Sequence, residues 1–269
     1  MSGLKLKLRN PPPERIDMSR VAPGALAGLP IIEIERLIVG ASKNGARLAD
    51  VFAVSGAPGE DLTIEGGSDR LDFVGAGHGG GTILVEGDAG AFAGRGMTSG
   101  RLDIRGNAGP WLATGLAGGF VSVTGDAGDS LGAPRAGERF GMMGGTVAVA
   151  GHVGARAGER MRRGAIVARG KCGPLAGARM MGGTIWADGG FGATPGVMMR
   201  RGTLIAPSVE RLTATFADCG KHDLVVLRIL SAYFAAALGA LAPNPLPSSA
   251  RRLAGDMAAL GKGEILLLA

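Results

Sequence analysis

Aromatic side chains are scarce in this sequence: one Tyr, two Trp and eight Phe among 269 residues. A core without much aromatic bulk must be filled by small and aliphatic groups, helped here by 11 Met. The same scarcity removes the stacking platforms that single-stranded nucleic acid needs, and no recognised nucleic-acid module is present, so nucleic acid is not an expected partner. There are two cysteines, Cys172 and Cys219, with no C-x-x-C spacing, and the start, MSGLKLKLRN, holds no apolar stretch of signal-peptide length. A reducing, cytoplasmic setting is expected. The three histidines, His78, His152 and His222, fall in no H-x-H, H-E-x-x-H or H-x-C spacing, so no metal site and no catalytic residue is assigned. One run, Leu224 to Ala242, is long enough to test as a membrane span, but Arg228 inside it costs a few kcal/mol. It is expected instead as a helix over Asp223 to Leu241 packed on the protein's own core, with no membrane as partner.

Glycine is abundant, at 50 residues, well over the usual share of about 7%, and it keeps no G-X-Y period. Collagen and an ordinary helical bundle are both excluded. The net charge of +6 has a location: Gly81 to Gly202 holds 14 basic and 8 acidic residues, and the remaining chain is balanced. Within that segment, Arg135 to Arg201 holds 11 basic and 3 acidic residues, which points to an anionic partner there.

The glycines recur with fixed offsets: Gly81, Gly87, Gly90; Gly100, Gly106, Gly109; Gly119, Gly125, Gly128; Gly145, Gly151, Gly154; Gly164, Gly170, Gly173; Gly183, Gly189, Gly192. Successive units start 19, 19, 26, 19 and 19 residues apart, and Gly202 opens a seventh. The stride of 26 predicts a seven-residue insert, and the column Met97, Leu116, Met142, Met161, Met180, Met199 stays in register only if the insert lies near Ala133 to Arg139. That insert, polar and holding Pro134, is expected to leave the coil as a loop. After each opening glycine comes a short run with apolar alternation, such as Ile83 and Val85 or Leu102 and Ile104. Period two predicts a strand with one buried face. So short a strand is stable only when coils stack at about 4.8 Å and bury their apolar faces together. The glycines then serve corners that need positive φ or close backbone approach, and the Met column forms an internal ladder. The run Gly75 to Gly81 (GAGHGGG) reads as the first such corner, since no helix pattern follows it.

Within the units the spacing is G-x-x-G-x-x-x-G: Gly87, Gly90, Gly94; Gly151, Gly154, Gly158; Gly170, Gly173, Gly177. This resembles the repeat of the right-handed β-helix at the C-terminus of the glutamate synthase large subunit and in the C subunits of formylmethanofuran dehydrogenases. The tail GDMAALGKGEILLL, Gly255 to Leu268, resembles the end of the latter. Arg outnumbers Lys 23 to 6, which favours a GC-rich bacterial genome and the formyltransferase/hydrolase branch of the family. The resemblance implies a subunit of a complex that moves a formyl group from formyltetrahydromethanopterin to methylofuran and hydrolyses it to formate in formaldehyde oxidation. It implies a hydrolase-like A subunit, a B subunit and a formyltransferase D subunit as partners, with the C subunit a non-catalytic scaffold. It also supplies a ligand, the acidic tail of methylofuran.

Repeat geometry places the arginines in columns. Arg160 and Arg179 share the fifteenth offset, Arg162 and Arg200 the seventeenth, Arg163 and Arg201 the eighteenth. Beside an inward Met column, the fifteenth and seventeenth offsets should point out, as guanidinium groups for a partner subunit, for carboxylates of the carrier, or merely for solvent. Cys172 has Lys171 beside it, a neighbour that lowers a thiol pKa, while a lone Cys is more often structural.

The expected organisation is an N-terminal arm and cap over 1–60, a β-helix over 61–206 beginning with the degenerate coil Leu62 to Gly66, and a C-terminal helical extension over 207–269. The last segment, Ala250 to Leu268, is expected as helix then strand. Two other readings are the C subunit of a molybdenum- or tungsten-dependent formylmethanofuran dehydrogenase, and a stand-alone ligand-binding β-helix.

Overall fold

A computed structural model of the chain describes residues 3–40, 45–245 and 247–268. Its strands form one 13-stranded sheet with two small two-stranded sheets beside it. The long sheet is parallel through Leu4–Leu8, Asp61–Glu65, Gly79–Glu86, Ser99–Ile104, Phe120–Val123, Thr146–Val149, Ala165–Ala168, Thr184–Ala187, Arg201–Ala206 and Lys262–Leu268. The repeat sets the register: Leu102 pairs with Val121, Val121 with Val147 across the insert, and Val147, Ile166, Ile185 and Leu204 follow at 19-residue intervals. Their side chains form one continuous inner ladder with Ile83 and Ile265, every member fully buried.

A second line of contact runs along another edge of the coils through the single bridges Ser68, Ala89, Ala108, Ala127, Val153, Cys172 and Phe191. Beside it, side chains cap the backbone of the next coil. Asp88 accepts from the Asn107 N–H at 2.6 Å, Asn107 from Asp126 at 2.9 Å, Asp126 from His152 at 2.7 Å, and His152 Nδ1 from Lys171 at 3.0 Å. The Met column lies inward as expected, with Met97, Leu116, Met142, Met161, Met180 and Met199 all fully buried.

The glycine motif has two distinct causes. A Cβ at Gly170 would stand 2.5 Å from the Gly151 carbonyl oxygen, and one at Gly173 would stand 2.8 Å from the Gly154 carbonyl carbon, so these positions let adjacent coils touch backbone to backbone. Gly177 has φ +68°, and a Cβ there would press the Leu204 side chain at 2.9 Å. Gly151, Gly154 and Gly158, and Gly87, Gly90 and Gly94, stand at the same points of their own coils.

Three expectations need correction. First, the strands of the second half bury both faces, because the helix Val225–Leu238 covers their outer side. Ala148, Val167, Trp186, Ile205 and Leu266 form a second core with Leu227, Phe234 and Leu238. Trp186 meets Phe234 edge-on at 5.6 Å, and its indole N–H donates to Asp188 at 2.9 Å. The outer position is polar only where the helix does not reach, as at Asp103. Second, the C-terminal segment is a hairpin of Ser249–Gly255 and Lys262–Leu268 rather than helix then strand. The pairing of Ile265 with Leu204 offers that segment an apolar ladder that helix propensity does not outweigh. Third, the insert leaves its coil but folds back over earlier ones. Glu138 pairs with Arg95 at 3.0 Å, and the Arg135 guanidinium lies 5.3 Å from the Phe92 ring centre.

Both ends of the parallel stack are closed by antiparallel pairing. Phe52–Ser55 adds to Leu4–Leu8 at one end, and Ser249–Gly255 with Ala217–Asp223 adds to Lys262–Leu268 at the other. The N-terminal strands thus share the sheet of the repeat. The C-terminal helix has 14 residues, and among the described residues no helix is long and apolar enough to cross a membrane.

Candidate functional site

The fifteenth offset reads Gly77, Gly96 and Gly115 in the early coils, Gly141 after the insert, then Arg160, Arg179 and Met198 in the late ones. All of them except Gly141 have φ between +50° and +67°. Among the early coils, a Cβ on Gly77, Gly96 or Gly115 would meet nothing within 4 Å, so bare backbone faces open space. Among the late coils the same line carries guanidinium groups. Backbone bonds between coils fix the spacing: Arg160 N–H donates to Ala178 at 2.9 Å, Arg179 to Val197 at 2.8 Å, and Arg200 to Met180 at 2.7 Å.

A cleft of about 710 Å³ lies over the late coils, lined by Arg139, Arg160, Arg179 and Arg200, with Met181, Met198 and Leu260 giving it an apolar side. Of the six arginines singled out in the sequence, three line it. Arg162 lies at its rim, 5.2 Å from the centre of the Phe140 ring, and Arg139 stands 4.9 Å from the same ring. Arg163 and Arg201 are exposed and do not line the cleft. Arg139 and Phe140 were not assigned a site role from the sequence; they arrive because the insert folds back. A second cleft of about 580 Å³ continues along the glycine part of the column, and Arg139 and Phe140 line both.

The cleft is strongly cationic. Glu159, buried at 7% exposure, holds Arg156 at 2.7 Å and stands 3.9 Å from Arg179. Among the described residues Arg139, Arg160, Arg162 and Arg200 make no ion pair. Guanidinium groups stay charged at any physiological pH and bind carboxylates bidentately. The far wall is the turn of Ala258 to Leu260, fixed by the buried Asp256, which accepts from the Met198 N–H at 2.7 Å and the Ala258 N–H at 2.8 Å. Burial by itself would raise the Asp256 carboxyl, but these bonds and one from the Thr215 hydroxyl outweigh it and hold it below its ordinary range. Glu138 is likewise lowered against its burial, by the Arg135 N–H and the Arg95 guanidinium.

The remaining candidates are structural. Cys172 is buried in the second line of bridges, between Val153 and Phe191, and burial pushes its thiol up to about 12, so Lys171 does not activate it. The Lys171 ammonium turns outward to Glu210 at 2.9 Å. His78 is buried, 3.1 Å from the Gly81 carbonyl; His152 is exposed at its corner, and His222 bonds the Cys219 carbonyl at 2.8 Å. The glycine-rich run from Gly75 is a turn that leads through His78 into strand Gly79–Glu86, with no helix after it. Among the described residues no three of His, Cys, Asp and Glu are grouped to hold a metal ion.

No protein-family model matches the chain. A curated relative, the C subunit of the formyltransferase/hydrolase complex Fhc of Methylorubrum extorquens, is 48% identical over 85 residues, a match that spans 32% of each protein. A chain in the crystal structure of the formyltransferase/hydrolase complex FhcABCD from Methylorubrum extorquens, in complex with methylofuran, is 44% identical with a TM-score of 0.92. The alignment covers 98% of this chain and 99% of that one. At 44% identity over 98% of its length to a chain of that complex, and with a curated C subunit 48% identical over the 85 residues matched, the chain belongs to the family of C subunits of formyltransferase/hydrolase complexes.

Proposed function

We propose that the chain is the scaffold subunit of a cytoplasmic formyltransferase/hydrolase complex, built as a right-handed single-stranded β-helix over residues 61–206 with 1–60 and 207–269 as its caps. The chemistry, transfer of a formyl group to methylofuran and its hydrolysis to formate, lies on the other subunits of the complex, the hydrolase-like A and the formyltransferase D. The observation that carries the reading is the match over 98% of the chain to a chain of such a complex. A stack of coils tied to one another by backbone hydrogen bonds suits a rigid holder.

The arginine-lined cleft is the docking surface of this scaffold. Four guanidinium groups around it, with apolar Met181, Met198 and Leu260 beside them, suit an extended carboxylate-bearing chain: an acidic segment of a partner subunit or the acidic tail of methylofuran. Arg162, Arg163 and Arg201 extend the positive rim. The test is Arg160→Glu with Arg200→Glu in the whole complex. The expected result is at least about tenfold weaker retention of one component, with the circular dichroism spectrum unchanged. Loss of a protein chain identifies an acidic segment as the occupant, and loss of methylofuran from an intact complex identifies the tail. Unchanged composition and activity would sink the assignment.

A further inference from the structure

The C-terminal helix Val225–Leu238 is apolar on every side: its sequence, VVLRILSAYFAAAL, holds a single charged residue, Arg228. A helix that is hydrophobic all round belongs between two covers. One cover is the sheet, which receives Leu227, Phe234 and Leu238. The opposite face is bare: Val225 is 58% exposed, Val226 43%, Ile229 61% and Tyr233 53%, with Ala232, Ala236 and Ala237 exposed beside them. Val225, Ile229 and Tyr233 follow at intervals of four and make one ridge. A shallow trough of about 410 Å³, with Gly119, Gly145, Thr146, Gly164 and Thr184 along it, runs beside Leu230 and Tyr233. Ridge and trough together form a surface into which another chain's apolar element can seat, and the alanines allow its backbone to come close.

We propose that this ridge and trough is the seat of a different subunit of the complex, which presents an apolar helix or strand edge and a carboxylate facing Arg228. The proposal rests on the subunit reading above. The four exposed side chains offer on the order of 400 Å², half of the roughly 800 Å² per partner that a stable two-body interface buries, so the ridge is one part of a larger contact. Charge argues against a second copy of this chain. The ridge is centred on Ile229, so a two-fold pairing would set Arg228 against its own copy, while a partner carboxylate would complete the loose 4.0 Å pair that Arg228 makes with Asp223. The surface is also separate from the arginine cleft, whose residues come from the turns on another side of the coils.

The test is Ile229→Asp and, separately, Arg228→Glu, each in the complex co-expressed with its other three chains and isolated through a tag on this chain. The expected result is at least a tenfold loss of one partner chain with Ile229→Asp and a smaller loss with Arg228→Glu, the melting temperature of the tagged chain being unchanged. Should Ile229→Asp fail to fold, Val225→Ser with Ile229→Ser is the replacement, with the same partner lost. Full retention of all partners by the folded variants overturns the proposal while leaving the subunit reading intact. A wild-type chain that retains no partner overturns both. A free wild-type chain that is a dimer by light scattering, and a monomer after Ile229→Asp, assigns the surface to a second copy and overturns the proposal. So does binding of the wild-type chain to vesicles of zwitterionic and anionic lipid that Ile229→Asp abolishes.

Discussion

Asp256→Asn is the substitution whose consequences the structure defines most closely. The carboxylate is 1% exposed and joins three pieces of chain: the Met198 turn, Thr215 and the turn that walls the cleft. Asn keeps the shape and one acceptor oxygen but loses the charge and one of the two acceptor positions. Hydrogen bonds to a charged group contribute about 1.5–3 kcal/mol each, so weakening three and orphaning at least one amide costs about 3 kcal/mol. For a chain of this size each kcal/mol moves the melting temperature by about 2–4 °C, which makes the expected drop about 6–12 °C at pH 7. The effect has a pH signature. Because the native carboxyl is held below its ordinary value of 3.8, the unfolded chain takes up the proton first as pH falls. The stabilisation is therefore fully present at neutral pH and fades as pH drops below 3.8 toward the depressed native value. Thermal unfolding of both proteins by circular dichroism, from about pH 7 downward, should show two melting curves that converge at the acid end. A gap that stays constant into that acid range, or no gap at neutral pH, would refute the argument.

Two further outcomes follow from the two cores. Trp186→Ala empties the centre of the outer core and should cost about 3–5 kcal/mol, with hydrogen exchange at the amides of Val225–Leu238 rising before that of the inner strands; uniform exchange would show that the helix is not held there. Native protein treated with iodoacetamide should gain one adduct, at the exposed Cys219, and a second at Cys172 only after unfolding. Two adducts on the native protein would contradict the burial of Cys172 in the line of bridges between the coils.

The coil register was legible because glycine marks it twice over, once where coils touch at Gly170 and Gly173 and once where the chain must turn at Gly177. The insert was located by the Met column for the same reason: a ladder tolerates no slip. What the sequence hid depends on contacts between distant segments. The apolar runs TVAV, AIVA and TIWA carried the signal of a second buried face, but period-two alternation reads one face well and does not say what covers the other. That cover comes from a helix roughly 40 to 80 positions further on. The Ala- and Leu-rich stretch before Gly261 has good helix formers, yet its neighbour Lys262–Leu268 completes the sheet and draws Ser249–Gly255 into a hairpin. Half of the six arginines singled out meet in the cleft because repeat columns fix their line. Arg139 and Phe140 join them only through the return of the insert, which the Arg95–Glu138 and Arg135–Phe92 contacts hold.

The central claim, that this chain is a holder for other subunits, is tested most directly by isolating it at native expression level from its own cell and identifying by mass spectrometry every protein and small molecule retained. The account predicts an amidohydrolase-like chain, a formyltransferase-like chain, a third partner and methylofuran in constant proportion. A folded chain that elutes alone would contradict it.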